Sequence, residues 1–135
     1  MKRRDAEGAE GTHQVLSGLV IGAAIDVHRA LGPGLLESAY CACLAKELEL
    51  RGVSFRAQVP LPLTHKGVRV DCGYRLDFLV ENLLIVELKA VEQIHPVHSV
   101  QLLTYLRLTG HRLGLLINFN VPTLRLGIRR IANNL

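Results

Sequence analysis

The sequence predicts an α/β domain of the α+β type, with two N-terminal helices, a mixed sheet and a crossover helix. Three observations predict it. Apolar residues recur at helical spacing over residues 13–51, and the pattern becomes extended and β-like over residues 53–89. A further helix, opened by Pro96, separates this unit from an apolar strand at 112–119. Segregated strands followed by a crossover helix are typical of this fold class.

The two predicted helices are defined by their apolar stripes and their stop signals. The first covers residues 13–31 and ends at Gly32-Pro33-Gly34. The second covers residues 35–51 and ends before Gly52. Its inward stripe carries one carboxylate among apolar residues, and the stripe reads Glu37, Tyr40, Cys41, Leu44, Leu48. Residues 1–12 are polar and glycine-rich, so we expect a flexible tail and a single domain over 13–135.

Three strands are predicted to form an antiparallel unit. Residues 53–63 are extended and carry two prolines, which indicates an edge, and residues 65–67 form a turn. Residues 68–80 and 83–89 follow as strands rich in branched and aromatic side chains. The strand at 112–119 is apolar enough to be buried on both faces, and residues 122–135 return as a short edge strand.

Composition limits the possible classes of protein. With 135 residues, 49% of them hydrophobic and 21% charged, the chain is long enough for one domain with a buried core. A net charge of +4 suits a phosphate-backbone partner without requiring one. The three cysteines lack metal-type spacing and predict reduced thiols in a cytoplasmic protein. The apolar run 15–25 is too short to span a bilayer, and a secretory signal is the less favoured alternative.

Three residues of the predicted hairpin form the candidate chemical site: Asp77 on its first strand, and Glu87 and Lys89 on its second. Because successive strand side chains point to opposite faces, Glu87 and Lys89 share a face. A two-residue turn would pair Asp77 with Val86 and leave Glu87 on the wrong face. An odd loop or a bulge around residues 81–83 restores the match, and we expect one there.

Two carboxylates at this place favour a cation between them, since their mutual repulsion is costly. Mg²⁺ takes one or two carboxylates together with waters and substrate oxygens. A lysine beside such an ion would offset negative charge on a phosphoryl group. The alternative is a solvated hairpin face with a cross-strand ion pair. The three residues alone do not decide between these interpretations.

The helix after Pro96 favours the site. Gln101 and Tyr105 are four residues apart and share one helical face, with His98 one turn earlier. Such residues are more often ordinary boundary residues. Here a short crossover would bring them to the end of the strand that carries Glu87.

These motifs resemble a known superfamily in their order and spacing: Asp77, then Glu87-Leu88-Lys89, then Gln101-xxx-Tyr105. The set is similar to that of the PD-(D/E)XK nuclease superfamily, in the branch with a Gln-xxx-Tyr helix. The resemblance extends from about residue 13 to the C-terminus and implies a restriction-endonuclease-like core. More narrowly, the segment from Gly34 through Glu37 to Tyr40 resembles the GxxExxY family, small proteins assigned to that superfamily.

The resemblance implies roles for the matched residues. Asp77 and Glu87 would bind Mg²⁺ or Mn²⁺, and the backbone carbonyl of Leu88 would add a ligand. Lys89 would act as a catalytic residue on the attacking water or the scissile phosphate. Glu37 would contribute to the metal site from its helix, directly or through a water.

The resemblance also implies that Gln101, Tyr105 and Tyr40 bind substrate. Two functions are then open. The first is a metal-dependent nuclease acting on DNA or RNA, with a homodimer or a targeting protein as a further partner and no membrane. The second is a catalytically silent nuclease-like fold that binds nucleic acid or assists protein assembly. Three Tyr, three Phe and no Trp argue against an extended aromatic platform for single strands.

Overall fold

A five-stranded mixed sheet lies between two helices on one face and one helix on the other in the computed structural model, which describes residues 2–135. The elements in chain order are α1 Lys2–Leu31, α2 Glu37–Leu50, β1 Phe55–Pro60, β2 Leu63–His65, β3 Val68–Val70, β4 Arg75–Val80, β5 Leu84–Lys89, α3 Pro96–Thr109, β6 Leu113–Asn118, a 3-10 turn Leu124–Gly127 and β7 Ile128–Ala132. The strand order is β1-β4-β5-β6-β7. The predicted fold class is confirmed.

The sheet joins an antiparallel unit to a parallel crossover. Strands β1, β4 and β5 pair antiparallel, while β5 and β6 pair parallel because α3 returns the chain to the same end of the sheet. β7 closes the other edge antiparallel to β6, as predicted. One predicted strand is divided: residues 68–80 form β3 and β4, and β3 pairs with β2 in a separate two-stranded hairpin.

Each face of the sheet has its own apolar layer. Phe78, Val86 and Leu115 face α1 and α2, and Ile85 and Leu116 face α3. β5 and β6 are buried almost throughout because both of their faces are covered. These two central strands therefore form the rigid part of the domain on which the candidate site lies.

Helix α1 is longer than predicted. It begins at Lys2, so helical structure continues through the segment expected to be a tail, and whether that segment is flexible stays a prediction. Residues Glu10–Leu31 are long and apolar enough to cross a membrane by length and composition. Val20, Ala23 and Ala24 are nevertheless fully buried against the sheet, as in the core helix of a folded domain. The length of α1 alone does not indicate a membrane span.

The loop between β4 and β5 determines which strand residues meet. Phe78 pairs with Val86 across three connecting residues, Glu81, Asn82 and Leu83. Glu81 and Asn82 both have a left-handed backbone, with φ of 52° and 55°. The predicted odd loop is therefore present, and this register brings Asp77 opposite Glu87.

Candidate functional site

Strands β4 and β5 separate at Asp77 and Glu87, and carboxylate oxygens replace main-chain partners there. The regular ladder between the strands ends at Phe78 and Val86. At the next position the Asp77 N–H donates to Glu87 Oε2 at 2.8 Å, and the Leu88 N–H donates to Asp77 Oδ2 at 2.8 Å. Each carboxylate is thus held by a backbone amide of the facing strand.

Strand β1, which pairs with the other side of β4, is also irregular beside Asp77. Residues Ala57 and Val59 of β1 pair with β4 on either side of Asp77, but Gln58 between them has a φ of 54°. A left-handed backbone at a non-glycine residue costs about 1 to 3 kcal/mol and often marks a functional site. Alternation along β4 is lost as well. Leu76 packs in the layer beneath α3, whereas regular alternation would place it on the same face as Phe78.

Burial and charge both act on Glu87. Its side chain is enclosed, with only 8% of the residue exposed. Burial first, and the adjacent Asp77 carboxylate second, raise the pKa of Glu87 to about 8, although the Asp77 amide and Lys89 favour its charged form. The metal-free pair therefore keeps a proton at neutral pH. A cation between the carboxylates would displace that proton.

Lys89, Gln101 and Tyr105 line one cavity of about 580 Å³ beside these carboxylates. The structure thus brings the predicted α3 residues to the predicted lysine. Burial, followed by the negative charge of Glu87, raises the pKa of Tyr105 to about 12, so its phenol remains protonated. His98 lines the same cavity, and burial together with the nearby Lys89 charge lowers its pKa. A neutral imidazole is the form expected there at neutral pH.

Glu37 begins α2 and faces the site from the opposite layer. Burial raises its pKa, and the charges of Lys89 and Asp77 both reach it. Among the described side chains, those of residues 10–135, however, no three His, Cys, Asp or Glu side chains come together as an ion-binding group. The arrangement therefore does not support Glu37 as a direct third ligand beside Asp77 and Glu87. A contribution through water stays a prediction.

Tyr40, predicted to bind substrate, lies in the core and does not line the cavity that contains Lys89. Its side chain is completely buried and stacks on Phe119 with ring centroids 4.5 Å apart. Its hydroxyl donates to the Gly32 carbonyl at 2.6 Å and accepts from the Leu35 N–H at 3.2 Å. Tyr40 thus ties the turn between α1 and α2 to the core and holds the start of α2 in place.

Sequence reasoning missed Asn118, a buried residue at the end of β6. Its side chain accepts from the Val91 N–H at 3.0 Å and donates to the Val91 carbonyl at 2.8 Å. The Phe119 N–H also donates to the Lys89 carbonyl at 2.9 Å. Together these bonds hold the chain at the Lys89 carbonyl and at Val91, two residues later. The signal available in the sequence was one amide side chain, Asn118, directly after an apolar run.

The donor chemistry fits a small divalent cation. Asp77 and Glu87 each use one oxygen on a backbone amide of the facing strand. Two carboxylates with water and substrate oxygens satisfy Mg²⁺ or Mn²⁺, whereas no set of cysteine and histidine ligands is present among the side chains of residues 10–135. The Leu88 amide contacts Asp77, and the ligand role of the Leu88 carbonyl stays a prediction.

Comparison with known proteins agrees with this geometry. The family model of the PD-(D/E)XK nuclease superfamily matches residues 14–131. Neither the search of curated proteins nor that of solved structures finds a match. Because the family model covers most of the chain, this protein belongs to the PD-(D/E)XK nuclease superfamily.

Proposed function

We propose that the protein hydrolyses phosphodiester bonds in nucleic acid with Mg²⁺ or Mn²⁺ held by Asp77 and Glu87. The observation that carries this proposal is the pair of reciprocal hydrogen bonds between β4 and β5. They hold two carboxylates together at a cost of burial first and mutual repulsion second, and both causes raise the pKa of Glu87. A cation would offset that cost, because it replaces the repulsion with coordination.

The remaining residues fit the handling of a phosphate. Lys89 follows the carboxylates on β5 and lies at the cavity, where its ammonium would offset negative charge on a phosphoryl oxygen. Gln101 in the same cavity offers an amide that can donate to a phosphate or a base. When bound, the divalent cation would lower the pKa of a water and offset charge on the phosphate. The carboxylates and Lys89 would orient the cation and the scissile group between them.

A cleavage assay with matched lysine variants tests the proposal. Wild-type protein is incubated with single-stranded, duplex and branched DNA and with RNA, in Mn²⁺, Mg²⁺, Ca²⁺ or EDTA at low salt. We expect cleavage with Mn²⁺ or Mg²⁺, little with Ca²⁺ and none with EDTA. Lys89→Ala should reduce the rate by about a hundredfold or more, the size found when one preorganised charge-stabilising donor is removed.

Lys46→Ala is the control, because Lys46 is exposed on α2 and this substitution removes the same charge at a place away from the site. It should cut at the wild-type rate. If no substrate is cut with Mn²⁺ or Mg²⁺, or if Lys89→Ala cuts as fast as Lys46→Ala, the nuclease proposal is wrong. The silent, binding-module alternative would then take its place.

A further inference from the structure

The cavity beside Lys89 continues as an open groove along α3, here called the α3 groove. One wall is α3 and the other is the hairpin arm, residues 61–74, which contains β2 and β3. A backbone bond from the Leu61 N–H to the Tyr74 carbonyl, 2.8 Å long, closes the base of this arm. The groove therefore lies between two walls, and Lys89 also lines it.

The α3 wall presents an apolar stripe that the fold leaves exposed. Val97, Val100 and Leu108 line the groove, although α3 already buries its opposite face in the core. Exposed apolar residues aligned on one helical face indicate a surface that contacts another molecule. Scattered single residues would not need this explanation.

The facing wall presents an aromatic ring. Tyr74 lines the groove with 43% of the residue exposed, and its ring meets Tyr105 edge-on at 6.1 Å between centroids. The Tyr74 carbonyl accepts from the Leu61 N–H and the Tyr74 ring packs against Tyr105 on α3. The ring is therefore held in place while part of it stays exposed to solvent. A ring held this way can stack on a planar ligand at little entropic cost.

Charge determines which occupant fits this groove. Lys89 lines the groove, and Lys66 and Arg69 are exposed on the arm. An apolar protein segment offers no anion to these cations, and a second copy of this chain carries the same net charge of +4, which opposes its approach. A nucleic-acid strand supplies phosphates for the cations and flat bases for the apolar wall. In a duplex those base faces are stacked inside and unavailable.

We propose that the α3 groove binds the unpaired bases of a single-stranded segment leading to the candidate site, with Tyr74 stacking on one base. This inference rests on the proposed function, because it assigns the substrate strand to the same site. One aromatic contact suffices for it. It therefore agrees with the low aromatic content, which argues only against an extended platform.

Binding without cleavage tests the inference. Wild-type protein in Ca²⁺ is titrated with a 20-nucleotide single strand containing 2-aminopurine, and with a blunt duplex of the same sequence. Anisotropy gives the Kd, and 2-aminopurine quenching reports stacking. We expect the single strand to bind more tightly than the duplex. Tyr74→Leu should weaken single-strand binding roughly tenfold and abolish the added quenching, as loss of one base–aromatic contact predicts. Tyr74→Phe should keep the quenching.

A second pair of variants keeps the test independent of Tyr74. Val100→Glu adds a negative charge to the α3 wall and should also weaken single-strand binding roughly tenfold. Val15→Glu is its control, since Val15 is 67% exposed on α1, comparable to 60% for Val100. It should bind as wild type does. Circular dichroism confirms that each variant folds.

The outcomes separate this inference from the nuclease proposal. If the protein cuts nucleic acid but Tyr74→Leu and Val100→Glu bind like wild type, the groove inference alone is wrong. Equal affinity for single strand and duplex also overturns it. If single-strand binding depends on Tyr74 and Val100 but nothing is cut, the groove inference stands and the nuclease proposal fails. If the protein binds no nucleic acid, both are wrong.

Discussion

The proton held by Glu87 should make the stability of the metal-free protein depend on pH, and Glu87→Gln should remove that dependence. The native carboxyl has a pKa of about 8 against an ordinary value of 4.5. Between these values the folded protein binds a proton that the unfolded chain has released. The free energy of unfolding therefore falls as the pH rises from about 4.5 to about 8, and this contribution is constant above that.

The size of the effect follows from the same values. A raised pKa of about 8 spans roughly 3.5 pH units, and at about 1.36 kcal/mol per unit the limit is roughly 5 kcal/mol. Glutamine carries no proton to lose, and its side-chain oxygen still accepts from the Asp77 N–H. We therefore expect Glu87→Gln to be more stable than wild type by a few kcal/mol at pH 9. The difference should nearly vanish at pH 5.

Urea unfolding in EDTA measures the free energy of unfolding. Circular dichroism follows the transition, because the chain has no tryptophan whose fluorescence could report it. Wild type and variant are compared at each pH from 5 to 9, which cancels the titration of groups they share. Glu92→Gln is the matched control, since Glu92 is exposed just beyond β5. It should follow wild type throughout. If Glu87→Gln and wild type keep a constant stability difference over the whole range, the reasoning about the buried pair is refuted.

Three further predictions concern the metal, the turn and the glycines. Mn²⁺ at a hundred times its Kd should stabilise wild type by about 2.7 kcal/mol, which calorimetry would show as a rise in Tm of about 10 °C. Asp77→Asn should lose most of this rise. If the rise is unchanged in Asp77→Asn, the ion binds elsewhere. Tyr40→Phe should lower the stability to urea by about 1 to 2 kcal/mol through two lost hydrogen bonds, while Mn²⁺ binding stays intact. Gly127→Ala would place a Cβ 2.1 Å from the Asn118 carbonyl oxygen and should lower the free energy of unfolding by about 3 kcal/mol. Gly18→Ala meets no atom within 4 Å and should raise it by about 0.5 to 1 kcal/mol, because alanine favours the helix. The same urea assay measures both.

Local patterns in the sequence were sufficient for the elements and for most of the candidate site. Apolar periodicity and glycine stops predicted α2 and α3 within a few residues, because helix ends depend on local backbone chemistry. Strand alternation predicted that Glu87 and Lys89 share a face. The spacing of Gln101 and Tyr105 predicted their common helical face, and the structure places both at one cavity with Lys89.

Only the tertiary structure decided where strand alternation breaks around Asp77 and what Tyr40 and Tyr74 do. Alternation along a single strand cannot predict the left-handed backbone at Gln58, which arises where β1 meets β4. Tyr40 and Tyr74 are the same residue type, yet one is enclosed by Phe119 and the Gly32 turn, and the other is left open on a groove wall. Burial depends on contacts between residues far apart in the chain, so no local pattern determines it. The sequence by itself therefore determined which residues are available for chemistry, and packing decided which of them remain exposed to a substrate.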